Sequence, residues 1–252
     1  MSLLETLRRG AARWTARGFD LLCPPRCGLC GADVGSAMVG DAGLVCAACE
    51  PALVADRPRC LGCGAGGDPA GCGHCRPRTR PCDGLAVLGP YADELREAIL
   101  RAKRPAGATV AAALAGLLVR RHRETFRDWA IDLVVPVPMH WRRRVVRGTS
   151  AADELARAVA AGLGLPVRRW LVRHRATRMQ NELPPGERRG NVAGAFRASR
   201  GVGGRRLLLI DDVATTGSTL AACRTAAVSA GAVAVYAAVV SRAERAEPVG
   251  EV

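Results

Sequence analysis

Aromatic residues are scarce in this 252-residue chain, at 4%. Aliphatic side chains and alanine must therefore fill its core, and few rings are available to stack on nucleobases. Lysine is nearly absent: Lys103 is the only one among 37 basic residues, the rest being arginine. No stretch approaches the roughly 20 apolar residues of a membrane-spanning helix. Residues 1–22 carry Arg8, Arg9, Arg13 and Arg17 and no apolar run long enough to insert. Neither a secretory signal nor a membrane span is therefore expected, and the chain reads as cytoplasmic. In that segment Leu3, Leu4, Leu7, Trp14, Phe19, Leu21 and Leu22 suggest a short amphipathic helix packed on its own protein. Acidic residues number only 23, and the net charge of +14 predicts attraction to polyanions: nucleic acid, phosphorylated ligands or anionic membrane. A GC-rich genome accounts for arginine in place of lysine, but not for the excess of basic over acidic residues.

Cysteine, by contrast, is abundant and clustered. Of eleven cysteines, eight form four pairs with two residues between partners: Cys27/Cys30, Cys46/Cys49, Cys60/Cys63 and Cys72/Cys75. Each pair can form a knuckle that aims two thiolates at one metal, and two knuckles complete a tetrahedral four-sulfur zinc site. A disulfide framework is the competing reading, and a cytosolic chain would not keep it. Chain order favours the sites Cys27/Cys30/Cys46/Cys49 and Cys60/Cys63/Cys72/Cys75, while interleaved pairing stays open. His74, inside CGHC, reads as a bystander because its neighbours already supply four sulfurs. Cys23, Cys82 and Cys223 lie outside the pattern, and Cys223 reads as a small core residue of a helix. With thiolates in all four positions such sites are structural. No internal repeat appears beyond the cysteine pairs.

Past Cys82 the texture changes to alternating strands and helices, which predicts an α/β domain built on a mostly parallel sheet. Strands are expected at Leu85–Leu88, Ile131–Val137, Val167–Val172, Leu207–Ile210 and Val233–Val240. Helices are expected at Asp93–Arg104, Val110–Arg123, Ser150–Leu163, capped by Ser150, and Ser218–Ala230. Arg173–Phe196 is polar and reads as a mobile segment. The division expected is a cysteine-rich module at 1–82, a ligand-binding domain at 83–245 and a flexible tail at 246–252.

The segment Leu207–Leu220, LLLIDDVATTGSTL, carries the chemistry. An apolar strand runs into Asp211 and Asp212, then into a turn of small and hydroxyl residues that leads to a helix. Ligands of parallel sheets bind at the carboxyl ends of strands. Ala214, Thr215, Thr216, Gly217, Ser218 and Thr219 supply backbone amides and hydroxyls at a helix N-terminus, a cradle for a phosphate monoester. No lysine follows in the Gly-x4-Gly-Lys pattern, which excludes a nucleotide-triphosphate P-loop. The two carboxylates would repel a phosphate beside them and suit hydroxyls instead. Phosphate at one end and a diol next to it describe a ribose 5-phosphate. After the strand Ile131–Val137, Arg142, Arg143, Arg144 and Arg147 reach the same sheet edge, where they fit either a pyrophosphate loop or a solvated basic run.

This loop resembles the signature of type I phosphoribosyltransferases, a Rossmann-like fold. That resemblance implies phosphoribosyl pyrophosphate with magnesium at Asp211, Asp212 and Ala214–Thr219. The whole chain resembles the ComF family of competence-related proteins, in which four cysteine pairs precede such a domain. Ala98–Lys103 (AILRAK), Val135–Gly148 (VPVPMHWRRRVVRG) and Arg175–Phe196 (RATRMQNELPPGERRGNVAGAF) carry the remaining likeness. Thr149, Ser150 and Ala151 depart from the Phe-Asn-Gln usual in that family, and Pro105 and Ala106 interrupt its basic-glycine turn.

Two functions follow from the resemblance and the charge. One is a phosphoribosyltransferase whose Asp211 and Asp212 act in catalysis, with His140 a candidate base and Arg175, Thr177, Arg178, Gln180, Arg188, Arg189 and Asn191 on a segment that closes over the ligand. The other is a single-stranded DNA-binding accessory of the DNA-uptake helicase machinery, with the ribose-phosphate loop as a ligand or regulatory site. Purified protein is expected to contain zinc, and chelation to unfold the cysteine-rich region; metal analysis that finds no zinc would discard the module.

Overall fold

Most of the apolar runs read as strands are strands in the computed structural model, which describes residues 24–34, 45–54, 57–67, 72–73, 80–139, 151–175 and 192–243. In chain order the elements are α1 (Glu50–Leu53), β1 (Gly84–Pro90), α2 (Asp93–Ala102), α3 (Ala108–Arg121), α4 (Arg123–Asp128), β2 (Leu133–Pro136), α5 (Ala151–Leu163), β3 (Leu171–Arg173), β4 (Phe196–Ala198), β5 (Arg206–Ala214), α6 (Ser218–Ser229) and β6 (Ala234–Arg242). Four strands form one sheet in the order β1-β6-β5-β2, every neighbouring pair parallel. β3 and β4 pair antiparallel in a separate ribbon.

Alternation along β5 explains the layering. Leu208 and Ile210 face a core shared with α2, α3 and α5, including Leu95, Ile99, Leu114, Leu118 and Leu155. Leu207 and Leu209 face the opposite core, with Leu220, Cys223 and Ala227 of α6. Both faces are thus covered, as an all-parallel sheet of continuous apolar strands requires. The helices that follow β2 and β5 pack on opposite faces, the arrangement in which parallel sheets bind ligands beyond the carboxyl ends of adjacent strands.

Two expected strands differ from what forms. The run read as ending at Ile210 continues through both acids to Ala214, because β6 keeps pairing with it, Val213 beside Ser241 and Ala214 beside Arg242. Val167–Val172 is not one strand. Val167 makes a single parallel bridge to Val134, while Leu171 onward joins β4. The expected amphipathic helix at 1–22, the Ser150 cap and the 246–252 tail lie outside the described residues.

Two of the four cysteine pairs prove to be parts of a longer repeat. Pro25–Ala32 and Pro58–Ala65 share the pattern Pro-Arg-Cys-x-x-Cys-Gly-Ala. Each forms the same turn, closed by an antiparallel bridge, Arg26 to Asp33 and Arg59 to Gly66. Corresponding amides bond alike: Gly31 donates to the Cys27 carbonyl at 2.9 Å, and Gly64 to that of Cys60 at 2.6 Å. Both turns rest on the α/β domain. Cys27, Val34, Val45 and Leu53 belong to the core that contains α2, α3 and α5. Arg120 of α3 pairs with Glu50 of α1 at 2.7 Å. The second turn covers the outer edge of β1, where the Leu85 amide donates to the Leu61 carbonyl at 2.6 Å. An edge strand left open would invite pairing with another chain.

Gly64 fixes that contact twice over. Its φ is +76°, and a Cβ added there would lie 2.6 Å from Val87 Cγ2 of β1. Gly64→Ala combines left-handed strain with overpacking and is expected to cost about 2 kcal/mol. Thermal unfolding checks it; a melting temperature equal to wild type would contradict this packing.

Candidate functional site

Parallel pairing carries β5 far enough to bring Asp211 and Asp212 to the sheet's carboxyl edge. Each carboxylate is pinned by the next amide: Asp212 N–H donates to Asp211 Oδ1 and Val213 N–H to Asp212 Oδ1, both at 2.9 Å. The second oxygen of Asp212 meets Lys103 Nζ at 2.5 Å. Lys103 stands at the C-terminus of α2, so the acid and the cation come from positions 109 residues apart in sequence. The Asp212 side chain is 18% exposed and that of Lys103 30%.

This pair polarises the two acids. Burial pushes the Asp211 carboxyl well above the usual carboxylate range, and the charge and side chain of Asp212 push it further. Burial opposes ionisation of Asp212 too, but the Lys103 ammonium, with hydrogen bonds from Asp211, Lys103 and the Val213 amide, outweighs it and holds that carboxyl low. Two adjacent carboxyls with one cation thus favour one negative charge between them.

Beyond Ala214 the chain bends through Thr215 and Thr216 into α6. Gly217 makes this entry with φ at +75°, and no side chain there caps the helix. The positive end of α6 is therefore turned to the loop. Thr216 Oγ1 lies 2.7 Å from Ser218 Oγ and 3.3 Å from the Ser218 amide, gathering two hydroxyls at the helix start. A hydroxyl of β6 sits one strand away: Ser241, beside Val213 in register, is fully buried with its Oγ unpaired among the described residues.

The segment entering β1 fastens this loop. Pro81 lies under Gly217, where an added Cβ would come within 3.0 Å of Pro81 Cβ. Asp83 Oδ1 receives Arg224 of α6 at 2.7 Å, and Asp83 Oδ2 accepts from the Val235 amide at 2.8 Å. Cys82 and Cys223 are both buried thiols whose ionisation burial opposes. The reading of Cys223 as core holds. A groove of 720 Å³ runs from Ser218 along α6 past Thr225 and Ser229, under Phe196 and beside Arg80 and Arg197.

The sulfurs also assemble. Those of Cys27, Cys30, Cys46 and Cys49 lie within 4.8 Å of one another, as do those of Cys60, Cys63 and Cys72. Chain-order pairing is what the fold produces. Cys30 and Cys46 sulfurs are 3.6 Å apart, and Cys63 and Cys72 sulfurs 3.7 Å. A tetrahedron with metal–sulfur bonds of about 2.3 Å has edges of about 3.8 Å, so the spacing suits a metal ion. Amides face the sulfurs: Cys46 N–H donates to Cys27 Sγ at 3.4 Å and Gly62 N–H to Cys60 Sγ at 3.3 Å. Burial raises the Cys27 thiol, but amide donation from Cys30, Cys46 and Leu29 outweighs it and brings it to about 6. Burial and its sulfur neighbours push Cys49 up to about 12. Both clusters can hold a metal ion.

Of the residues singled out by sequence, Asp211, Asp212 and Ala214–Thr219 come together, as do seven of the eight paired cysteines. Cys75, His74, His140, Arg142, Arg143, Arg144 and Arg147 lie outside the described residues, as do Thr177, Arg178, Gln180, Arg188, Arg189 and Asn191. Arg175 is described and donates to the Ala193 carbonyl at 2.8 Å. The residue that sequence reasoning left without a role is Lys103. Its signal was its rarity: in a chain that otherwise uses arginine, one lysine remains.

Comparison with known proteins decides the family. A DNA utilization protein YhgH of Escherichia coli (strain K12) is 33% identical over 191 residues, covering 70% of this chain and 81% of the relative. The chain belongs to the ComF family. Competence protein F of Haemophilus influenzae is 31% identical over 156 residues, covering 59% of this chain and 68% of that one. No family model matches. Among solved structures, a glutamine phosphoribosylpyrophosphate amidotransferase from B. subtilis, complexed with ADP and GMP, overlaps 57% of this chain and 30% of its own, with TM-score 0.36 and 19% identity. Among the described residues of this ComF-family chain, no helix is long and apolar enough to cross a membrane.

The acid pair carries a signed pH dependence. The folded-state pKa of Asp211 is raised, so its contribution is fully present below the unfolded value of about 4 and is lost as pH rises through the folded value. That of Asp212 is depressed, so its contribution is present above about pH 4 and lost as pH falls through the folded value. Asp211→Asn removes the first effect, while its amide can still donate to Asp212. It is expected to stabilise the ligand-free protein at neutral pH and to flatten the loss of stability above pH 4. Thermal unfolding across pH measures both; a variant less stable than wild type at pH 7 would refute the charge assignment.

Proposed function

We propose that this protein binds phosphoribosyl pyrophosphate with magnesium and serves, as a ComF-type protein, in DNA uptake or processing. The observation that carries this reading is the junction of β5 and α6. Two carboxyls and the N-terminus of α6, entered through Gly217 and lined by the Thr216 and Ser218 hydroxyls, are held a few residues apart at one sheet edge. Asp211 and Asp212 accept the ribose hydroxyls. The amides and hydroxyls of Ala214, Thr215, Thr216, Gly217, Ser218 and Thr219 take the 5-phosphate. Magnesium accompanies the pyrophosphate through the ligand's own oxygens, as it commonly does with substrate phosphates. Arg142, Arg143 and Arg144, which follow β2 in sequence and lie outside the described residues, are assigned the pyrophosphate.

If transfer occurs, the pyrophosphate oxygen leaves C1 and an acceptor's lone pair takes its place. What this chain supplies is position and electrostatics. Pinned carboxylates fix the ring, and the arginines compensate the leaving charge. The metal at Cys27, Cys30, Cys46 and Cys49, and at Cys60, Cys63, Cys72 and Cys75, is zinc in a structural role. Thiols kept as metal ligands suit a reducing cytoplasm. The domains divide at Cys82, with residues 83–245 as the ligand-binding unit.

A second reading rests on the net charge of +14 and on the arginines beside the α6 groove, Arg80 and Arg197. Relatives named for DNA utilization and competence support it. In it the protein holds single-stranded DNA by its phosphates, with the ribose site regulating that contact or a link to the uptake helicase machinery.

Calorimetry with phosphoribosyl pyrophosphate and magnesium is expected to show one site in wild type and none after Asp211→Ala/Asp212→Ala. Absence of binding by wild type would end the ligand reading. Single-stranded DNA affinity is expected to fall steeply between 50 and 200 mM salt. An affinity indifferent to salt would count against arginine–phosphate contacts.

A further inference from the structure

Lys103 is the only lysine of the chain, and it meets Asp212 at the edge of the ribose site. Elsewhere the chain makes its ion pairs with arginine: Arg169 to Asp153, Arg224 to Asp83, Arg120 to Glu50. An arginine fork would serve a fixed ion pair well. Lysine differs in carrying a compact charge on a flexible four-carbon arm, which suits a contact that moves or meets a phosphate as a point charge.

Its place in the fold gives that arm a direction. α6 and the phosphate cradle lie on one face of the sheet, and α2, which ends at Lys103, lies on the other. Asp211 and Asp212 stand between them. A ribose with its 5-phosphate at α6 and its hydroxyls on the acids directs its C1 substituent away from α6, toward the face where Lys103 emerges. We propose that Lys103 contacts the anionic group on C1 of the ribose ligand, exchanging its ion pair with Asp212 for that group when the ligand binds. The proposal rests on the ribose-phosphate reading of the loop. It adds that the site selects ribose 5-phosphates bearing an anion on C1. The ion pair then fills Asp212 while the site is empty and is released to recognise the complete ligand.

The test compares two ligands that differ only at C1, phosphoribosyl pyrophosphate and ribose 5-phosphate, each with magnesium, on the full chain. Lys103→Met is expected to weaken the first about 10- to 100-fold, the loss of one charge-assisted contact, and the second less than about threefold. Lys103→Arg keeps the charge and should restore part of the difference. Equal losses for both ligands would overturn the proposal while leaving the ribose reading intact. Failure of wild type to bind either would remove both. Lys103→Met leaves Asp212 without its cation, so a measurement on wild type stands beside it. Reductive methylation with 13C-formaldehyde labels one lysine and the N-terminal amine. The lysine methyl resonance is expected to shift at least threefold more with phosphoribosyl pyrophosphate than with ribose 5-phosphate. Equal shifts would overturn the contact.

Discussion

Adjacent carboxyls at the end of a buried strand are costly, and the site is arranged around that cost. Asp211 and Asp212 lie next to one another where β5 leaves the core, and both resist ionisation through burial. A single cation from α2 settles which of them carries the charge. The amides of Asp212 and Val213 then fix the carboxyl orientations. Had β5 stopped at Ile210, the acids would hang on a loop and would not be pinned. Continued pairing with β6 through Ala214 keeps them rigid, so the turn that follows starts from a fixed point.

The cysteine-rich region takes part in the same arrangement. Its two matching turns seat on the α/β domain, one against the α2–α3 layer and one on the edge of β1. The strand so covered is preceded by Asp83, which ties to α6 and β6, and by Pro81, which lies under Gly217. Pro81 and Asp83 thus brace the turn at Gly217 from the entry to β1.

Much of this was legible along the chain. Unbroken apolar runs announced a parallel sheet because a strand covered on both faces has no polar alternation to keep. Cysteine spacing announced metal turns because two residues between sulfurs is what a knuckle spans. The loop's order of acids, small residues and hydroxyls announced a strand that turns into a helix with its acids at the sheet edge. The 33-residue offset between Pro-Arg-Cys-x-x-Cys-Gly-Ala copies was also present, though spacing alone drew attention only to the cysteines. The length of β5 was not legible, since aspartate does not favour strands and only its partner in β6 holds it there.

By itself the sequence determined what each segment could do: which runs must be buried, which thiols could share a metal, and which loop could hold a ribose phosphate. These are properties of neighbours in the chain, set by periodicity and local donor groups. Only the tertiary structure decided that Lys103 answers Asp212, that Pro81 underlies Gly217, and that the second cysteine turn seals β1. Each of these joins residues far apart in sequence, and no local pattern encodes such a contact. Packing α2 on one face of the sheet and α6 on the other brings the cation, the acids and the start of α6 to a single edge.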